Sequence, residues 1–252
     1  MNRILFLVLG GALLLSMSTA FAQVGNVPMY FNGGYQGDVW SGGPEGSVAT
    51  GFYDGSINNV NVGPGQNSPG MLCDDYYDNI YSGEHWTSTA YQVSTLNAGN
   101  ISQTLFGGAN WSNVQAGLSA LQGYAALAYL ANYAFTSAVG NSALQSSISQ
   151  ALWYLTSAAV GKGFDLGKLD LPAQGLVASA IAACNVPLSN YAGLWLYTQP
   201  FNPTGPQEMF GQIPALPVPE GGAAFIYLVL AGVTCFGAIF YSRRQTATGG
   251  LA

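Results

Sequence analysis

Ionisable side chains are scarce in this chain. Charged residues make up 6% of its 252 positions, with five Lys and Arg, 11 Asp and Glu, and one histidine. Arg3, Arg243 and Arg244 lie at the ends, so Lys162 and Lys168 are the bases of the central part, whose formal charge against all 11 acids is −9. Nothing in such a surface can neutralise a phosphate backbone, which excludes nucleic acid as a partner. His85 alone, without an HExxH pattern, cannot build a zinc site. The three cysteines, Cys73, Cys184 and Cys235, form no CxxC pair. No metal and no cofactor is therefore expected.

Long apolar runs are confined to the two ends. Arg3, the apolar stretch Ile4 to Leu15 and the A-x-A site Ala20-Phe21-Ala22 read as a secretory signal peptide over residues 1–22. Residues 223–241 are 19 positions without a charge, close to the roughly 20 that span a bilayer as a helix. Arg243 and Arg244 follow at once, and basic residues stay cytoplasmic, so the rest of the chain should face outward. Residues 23–217 between these ends are enough for one domain with a real core.

The stretch Val218-Pro219-Glu220-Gly221-Gly222, then the apolar helix, then Arg243-Arg244, resembles a PEP-CTERM sorting tail over 218–252, with Gly221 where the pattern has a second proline. The resemblance implies export to the envelope or surface of a Gram-negative-type bacterium and an exosortase-type enzyme acting near Pro219-Glu220. It also implies anchoring by, or release from, the C-terminal helix, and a setting in exopolysaccharide or biofilm.

Within the domain, residues 24–70 are punctuated by glycine, and Ser47–Tyr53 and Ile57–Val62 read as strands between tight turns. Trp86–Leu96, Tyr191–Thr198 and Gln207–Ile213 read as further strands. Apolar residues at helical spacing predict helices over Asn113–Phe135, Asn141–Ser157 and Leu171–Cys184, the second capped by Asn141 and the third carrying Pro172 in its first turn. Strands, then helices, then closing strands indicate an α+β domain: an antiparallel sheet or small barrel with about three packed helices, followed by the single C-terminal transmembrane helix.

Cys73 sits in GMLCDDYY, about 75 residues before SSISQALWYLTSA. Together these resemble the thioester domains of bacterial surface proteins, in which a strand cysteine bonds to a glutamine of a TQxAIW motif; WLYT and PQEM resemble that family's closing strands. The resemblance covers roughly 70–213 and implies a Cys73–Gln150 thioester. Aligned on Ala151-Leu152-Trp153, however, the family's glutamine falls on Ser149, and Gln150 points about 100° away around the helix. Two other states stay open for Cys73: a disulfide with Cys184, natural in an oxidising exported setting, and a plain buried thiol.

Other constellations are weaker. Asp74, Asp75, Asp78 and Glu84 lack EF-hand spacing. Cys73 with His85, or Asp165 with Asp170, offers nucleophile or paired-carboxylate chemistry that spacing alone does not indicate. Tyr76, Tyr77, Tyr81, Trp86 and Trp111 lie in or near polar segments, where aromatic faces suit sugar rings or a core. The expectation is a non-enzymatic exported surface protein, serving adhesion or attachment to polysaccharide or another surface ligand. The alternative is a secreted carbohydrate-binding protein or carbohydrate-active enzyme with the same tail.

Overall fold

The computed structural model describes residues 23–66, 68–115, 117–199 and 207–212. The signal-peptide reading (Ala20, Ala22), the sorting tail (Val218, Pro219, Glu220, Arg243, Arg244) and the expected span at 223–241 fall outside these residues. Among the described residues no helix is long and apolar enough to cross a membrane.

Nine strands are described: β1 Gln23–Tyr35, β2 Val39–Gly43, β3 Gly46–Ala49, β4 Phe52–Ile57, β5 Val60–Val62, β6 Met71–Cys73, β7 His85–Gln92, β8 Trp195–Thr198 and β9 Met209–Gly211. The main sheet runs β1-β7-β8-β9-β6-β4-β5, and β1 also pairs with β4. That extra pairing closes six antiparallel strands into a barrel, with β5 attached to β4; closure removes the open edges that β1 and β4 would otherwise present. Strands β2 and β3 form a separate hairpin.

Three α-helices are described: α1 Ala120–Ser137, α2 Ser142–Ala159 and α3 Leu171–Ala182. Each starts on a side-chain cap. Ser119 and Gln122 form a reciprocal capping box for α1, Asn141 accepts from Leu144 N–H for α2, and Asp170 accepts from Ala173 N–H at 2.7 Å for α3. The α+β reading thus stands, as a barrel with three helices.

Several boundaries differ. The first helix begins at Ala120 and not Asn113, because Ser119-x-x-Gln122 supplies the start and Trp111–Asn113 is a short 3-10 turn. Ser47–Tyr53 is two strands, broken at Gly51, whose φ of +84° only glycine adopts readily. Ile57–Val62 is a hairpin turning on Asn58 and Asn59, both left-handed, as tight two-residue hairpin loops require. The strand expected over Trp86–Leu96 covers His85–Gln92 and ends in a 3-10 turn.

Alternation along the strands sorts side chains between two apolar clusters. Tyr53, Met71, Cys73, Ala90, Tyr197 and Met209 fill the barrel. Phe52, Leu72, Tyr91, Leu196 and Phe210 point the other way and meet Leu127, Ile148, Leu152 and Val177 of the helices. Closure of the barrel depends on Gly55 of β4: a Cβ there would lie 1.9 Å from the Tyr30 carbonyl oxygen on β1. Backbone cannot yield as a flexible side chain would. Gly55→Ala is therefore expected to cost about 3 kcal/mol or more, read as a lowered urea midpoint; an unchanged midpoint would show that β1 and β4 do not need this approach.

Candidate functional site

The site grows out of two short strands. β6 and β9 pair antiparallel with Cys73 opposite Met209, and just beyond, Asp74 N–H meets the Glu208 carbonyl at 3.4 Å. Two residues share a strand face, so Gln207 lies on the same side as Met209 and Cys73. Asp74 and Glu208 point to the other side.

On the first side, Cys73 Sγ has two acceptors at 3.0 Å, the Gln207 Oε1 and the Asp75 carbonyl, and its single proton serves one at a time. The Asp75 N–H donates back to Sγ at 3.3 Å. Gln207 Nε2 donates to the Asp75 carbonyl at 3.2 Å and also to the Asp78 carbonyl. The carboxamide is thereby held at both ends, its oxygen at the thiol and its nitrogen on two carbonyls. Cys73 and Gln207 are both buried.

Burial pushes the Cys73 thiol well above its usual range, and the charges of Asp75 and Asp74 push the same way; the Asp75 N–H and the Trp153 indole oppose. Trp153 Nε1 is buried, makes no fully formed hydrogen bond in this resting arrangement, and lies close enough to the thiol to favour its charged form.

On the second side, Tyr124 OH donates to Glu208 Oε1 at 2.7 Å and Leu105 N–H to Oε2 at 3.0 Å. Neither carboxyl oxygen of the fully buried Asp74 receives a hydrogen bond. Burial raises both acids, and the Glu208 charge raises Asp74 further. A proton on Asp74 would let it donate to the neighbouring Glu208 carboxylate, the arrangement that the upward shift of Asp74 favours. Thr156 of α2 secures the same turn through the Asp74 carbonyl at 2.6 Å.

A cleft of about 330 Å³ opens onto the first side, with Asp75, Trp153 and Gln207 in its lining and Tyr35 and Tyr81 exposed at its rim. Tyr76 packs edge-on or tilted against Trp40, Trp153 and Phe164, which holds the chain leaving Cys73 against α2.

The structure does not bring the partners expected from sequence to Cys73. Gln150 uses its carboxamide on the start of α3, with Oε1 accepting from Asp170 N–H at 3.0 Å and Nε2 donating to Asp170 Oδ2 at 2.9 Å. Ser149 Oγ accepts from Gly51 N–H at 2.9 Å. Cys184 is a free buried thiol in the helix-side cluster, as Cys73 is in the barrel, so no disulfide joins them.

The remaining candidates have structural employment. His85 stacks on Tyr30 with ring centroids 4.4 Å apart. Asp165 caps a short turn through Gly167 N–H, Asp170 caps α3, and Glu84 accepts from Tyr81 N–H. Trp86 and Trp111 are buried; Tyr77 lies over Lys162, whose Nζ is 4.7 Å from the ring centroid. Among the described residues no three His, Cys, Asp or Glu side chains converge as metal ligands. Gln207 is the residue that sequence reading missed. Its one signal was the PQEM segment, read only as a closing strand.

The fold and site define a closed six-stranded barrel under three helices, carrying a buried cysteine–glutamine pair. Comparison with protein-family models, with curated proteins and with solved structures gives no match.

Proposed function

We propose that this chain is an exported surface protein whose Cys73 and Gln207 condense to an internal thioester, which then tethers the protein covalently to an extracellular partner. The Cys73 Sγ contact with Gln207 Oε1 at 3.0 Å carries the reading. The amide carbon is one bond beyond that oxygen, so thiol and electrophile are held together on paired strands, and such proximity replaces an intermolecular encounter. Sulfur attacks the carboxamide carbon, the S–C bond forms and the C–N bond breaks. The nitrogen leaves as ammonia and takes up the thiol proton. The Asp75 and Asp78 carbonyls hold the departing nitrogen, and the Trp153 indole, next to the thiol in the same cleft lining, is a buried donor for the charge that develops.

The product is an activated acyl group in a buried setting that excludes bulk water, which favours storage. An incoming nucleophile at the cleft would take the acyl group and return the proton to Cys73 in a single, non-enzymatic turnover. A secretory leader, a PEP-CTERM-like tail handled by an exosortase-type enzyme and the acidic surface support the same setting: the envelope of a Gram-negative-type bacterium, in adhesion or matrix attachment.

Intact mass of the exported protein tests this. It should be low by one ammonia, and methylamine should add in place of that ammonia on Gln207. A full unmodified mass, unchanged by methylamine, would end the proposal.

A further inference from the structure

We infer that the cleft above Gln207 is an acceptor subsite for a neutral saccharide, and that the covalent product is an ester to a sugar hydroxyl. The inference rests on the thioester reading and adds the class of nucleophile.

Three observations carry it. First, the rim is aromatic and exposed: Tyr81 is 71% and Tyr35 43% exposed, while the other aromatic rings of the cleft are buried. Large rings left in water beside a polar cavity offer flat faces for the C–H surface of a pyranose, with phenolic hydroxyls for its edge. Second, Ser47, Asn79 and Ser82 line the cleft with those rings, the Ser82 hydroxyl donating to the Asn32 carbonyl and keeping its acceptor side, and no Lys, Arg or His lines it. Uncharged donors and acceptors match uncharged hydroxyls and offer nothing to an anion. Third, the lining that holds Gln207 also holds Trp153, whose buried Nε1–H makes no fully formed hydrogen bond and lies near the Cys73 thiol. A donor of this kind suits the oxyanion of an acyl transfer.

An amine fits less well. It would arrive as an ammonium ion, and the carboxyl group at the floor, Asp75, is raised to about 8 by burial and by Asp78, so near neutral pH it offers little countercharge. Asp74, raised by burial and by the Glu208 charge, lies on the other side of the strand pair, and Glu208 is committed to Tyr124 and Leu105. In the transfer, the sugar oxygen attacks the Gln207 acyl carbon, the C–O bond forms, the C–S bond breaks, and the hydroxyl proton ends on Cys73 Sγ.

The test uses the exported protein, first weighed alone, then incubated with maltohexaose or cellohexaose and, separately, with methylamine. The expected result is an adduct equal to one intact hexasaccharide, removed by mild base. In a Tyr35→Ala/Tyr81→Ala variant the ratio of sugar to methylamine adduct should fall at least tenfold. Methylamine adducts without any sugar adduct would overturn the saccharide assignment and leave the thioester standing; so would a ratio unchanged by the tyrosine substitutions. A protein that shows no ammonia loss removes the thioester and this ester with it. In that case hexasaccharide binding to Cys73→Ala, followed by tryptophan fluorescence, still reports on the cleft, and its absence overturns the saccharide assignment separately.

Discussion

Gln207→Ala is expected to restore the full mass of the exported protein and abolish methylamine incorporation, whereas Gln150→Ala should leave the ammonia loss intact. The two glutamines have different surroundings. Gln207 Oε1 is 3.0 Å from Cys73 Sγ, while both ends of the Gln150 carboxamide are bound to Asp170. Alanine at 207 removes the acyl donor itself, so the effect is all or none. Alanine at 150 leaves the Asp170 N–H without its acceptor and takes one hydrogen bond from the Asp170 carboxylate, costing about 1–3 kcal/mol of stability and no chemistry. Mass spectrometry and thermal unfolding of the two variants separate these outcomes. If Gln150→Ala restored the mass and Gln207→Ala did not, the pairing of β6 with β9 would not be the reactive geometry.

The second large effect concerns pH. Asp74, Asp75 and Glu208 all have carboxyl groups raised above the ordinary range, chiefly by burial, and Asp75 reaches about 8. In the unfolded chain these groups titrate near 4. Between that pH and each raised value the folded state binds more protons than the unfolded state, so stability falls as pH rises. The contribution is fully present below about pH 4 and is lost through the window that ends, for Asp75, near pH 8. Each proton retained only in the fold costs about 1.4 kcal/mol per pH unit across its window. The described domain should therefore melt at a clearly higher temperature at pH 5 than at pH 8. Asp74→Asn, which keeps a donor toward Glu208 without the titration, should flatten that slope. A melting temperature that climbs from pH 5 to pH 8 would contradict the buried-acid account.

The fold class was legible because its signals are local. Leu144, Ile148, Leu152 and Leu155 repeat at helical spacing, and Asn141 announces their start. Ser119-x-x-Gln122 was equally readable, and overlooking it placed the first helix seven residues early. The long first strand and its partner β4 were harder to see, since their glycines resemble turn punctuation; Gly33 of β1 serves a bulge against β4, and Gly55 of β4 a close approach to the β1 backbone. Neither need can be seen from one strand alone.

The site was legible by half. Cys73 stands out because cysteine is rare and its neighbours are polar. Its partner does not, because nearness along a helix motif says nothing about nearness in space. Gln150 lies in the expected helix and faces Asp170. Gln207 lies 134 residues from Cys73 and reaches it only because β6 and β9 are adjacent in the closed sheet.

Local chemistry in the chain itself determines the apolar ends, the acidic middle, the helices with their caps and the residue able to act as a nucleophile, for each depends on neighbours within a few positions. Tertiary structure alone decided which carboxamide meets that thiol, which carboxyl groups burial raises and where the cleft opens. Those outcomes follow from strand pairing and burial, which bring distant segments into one low-dielectric place and change what their side chains can do.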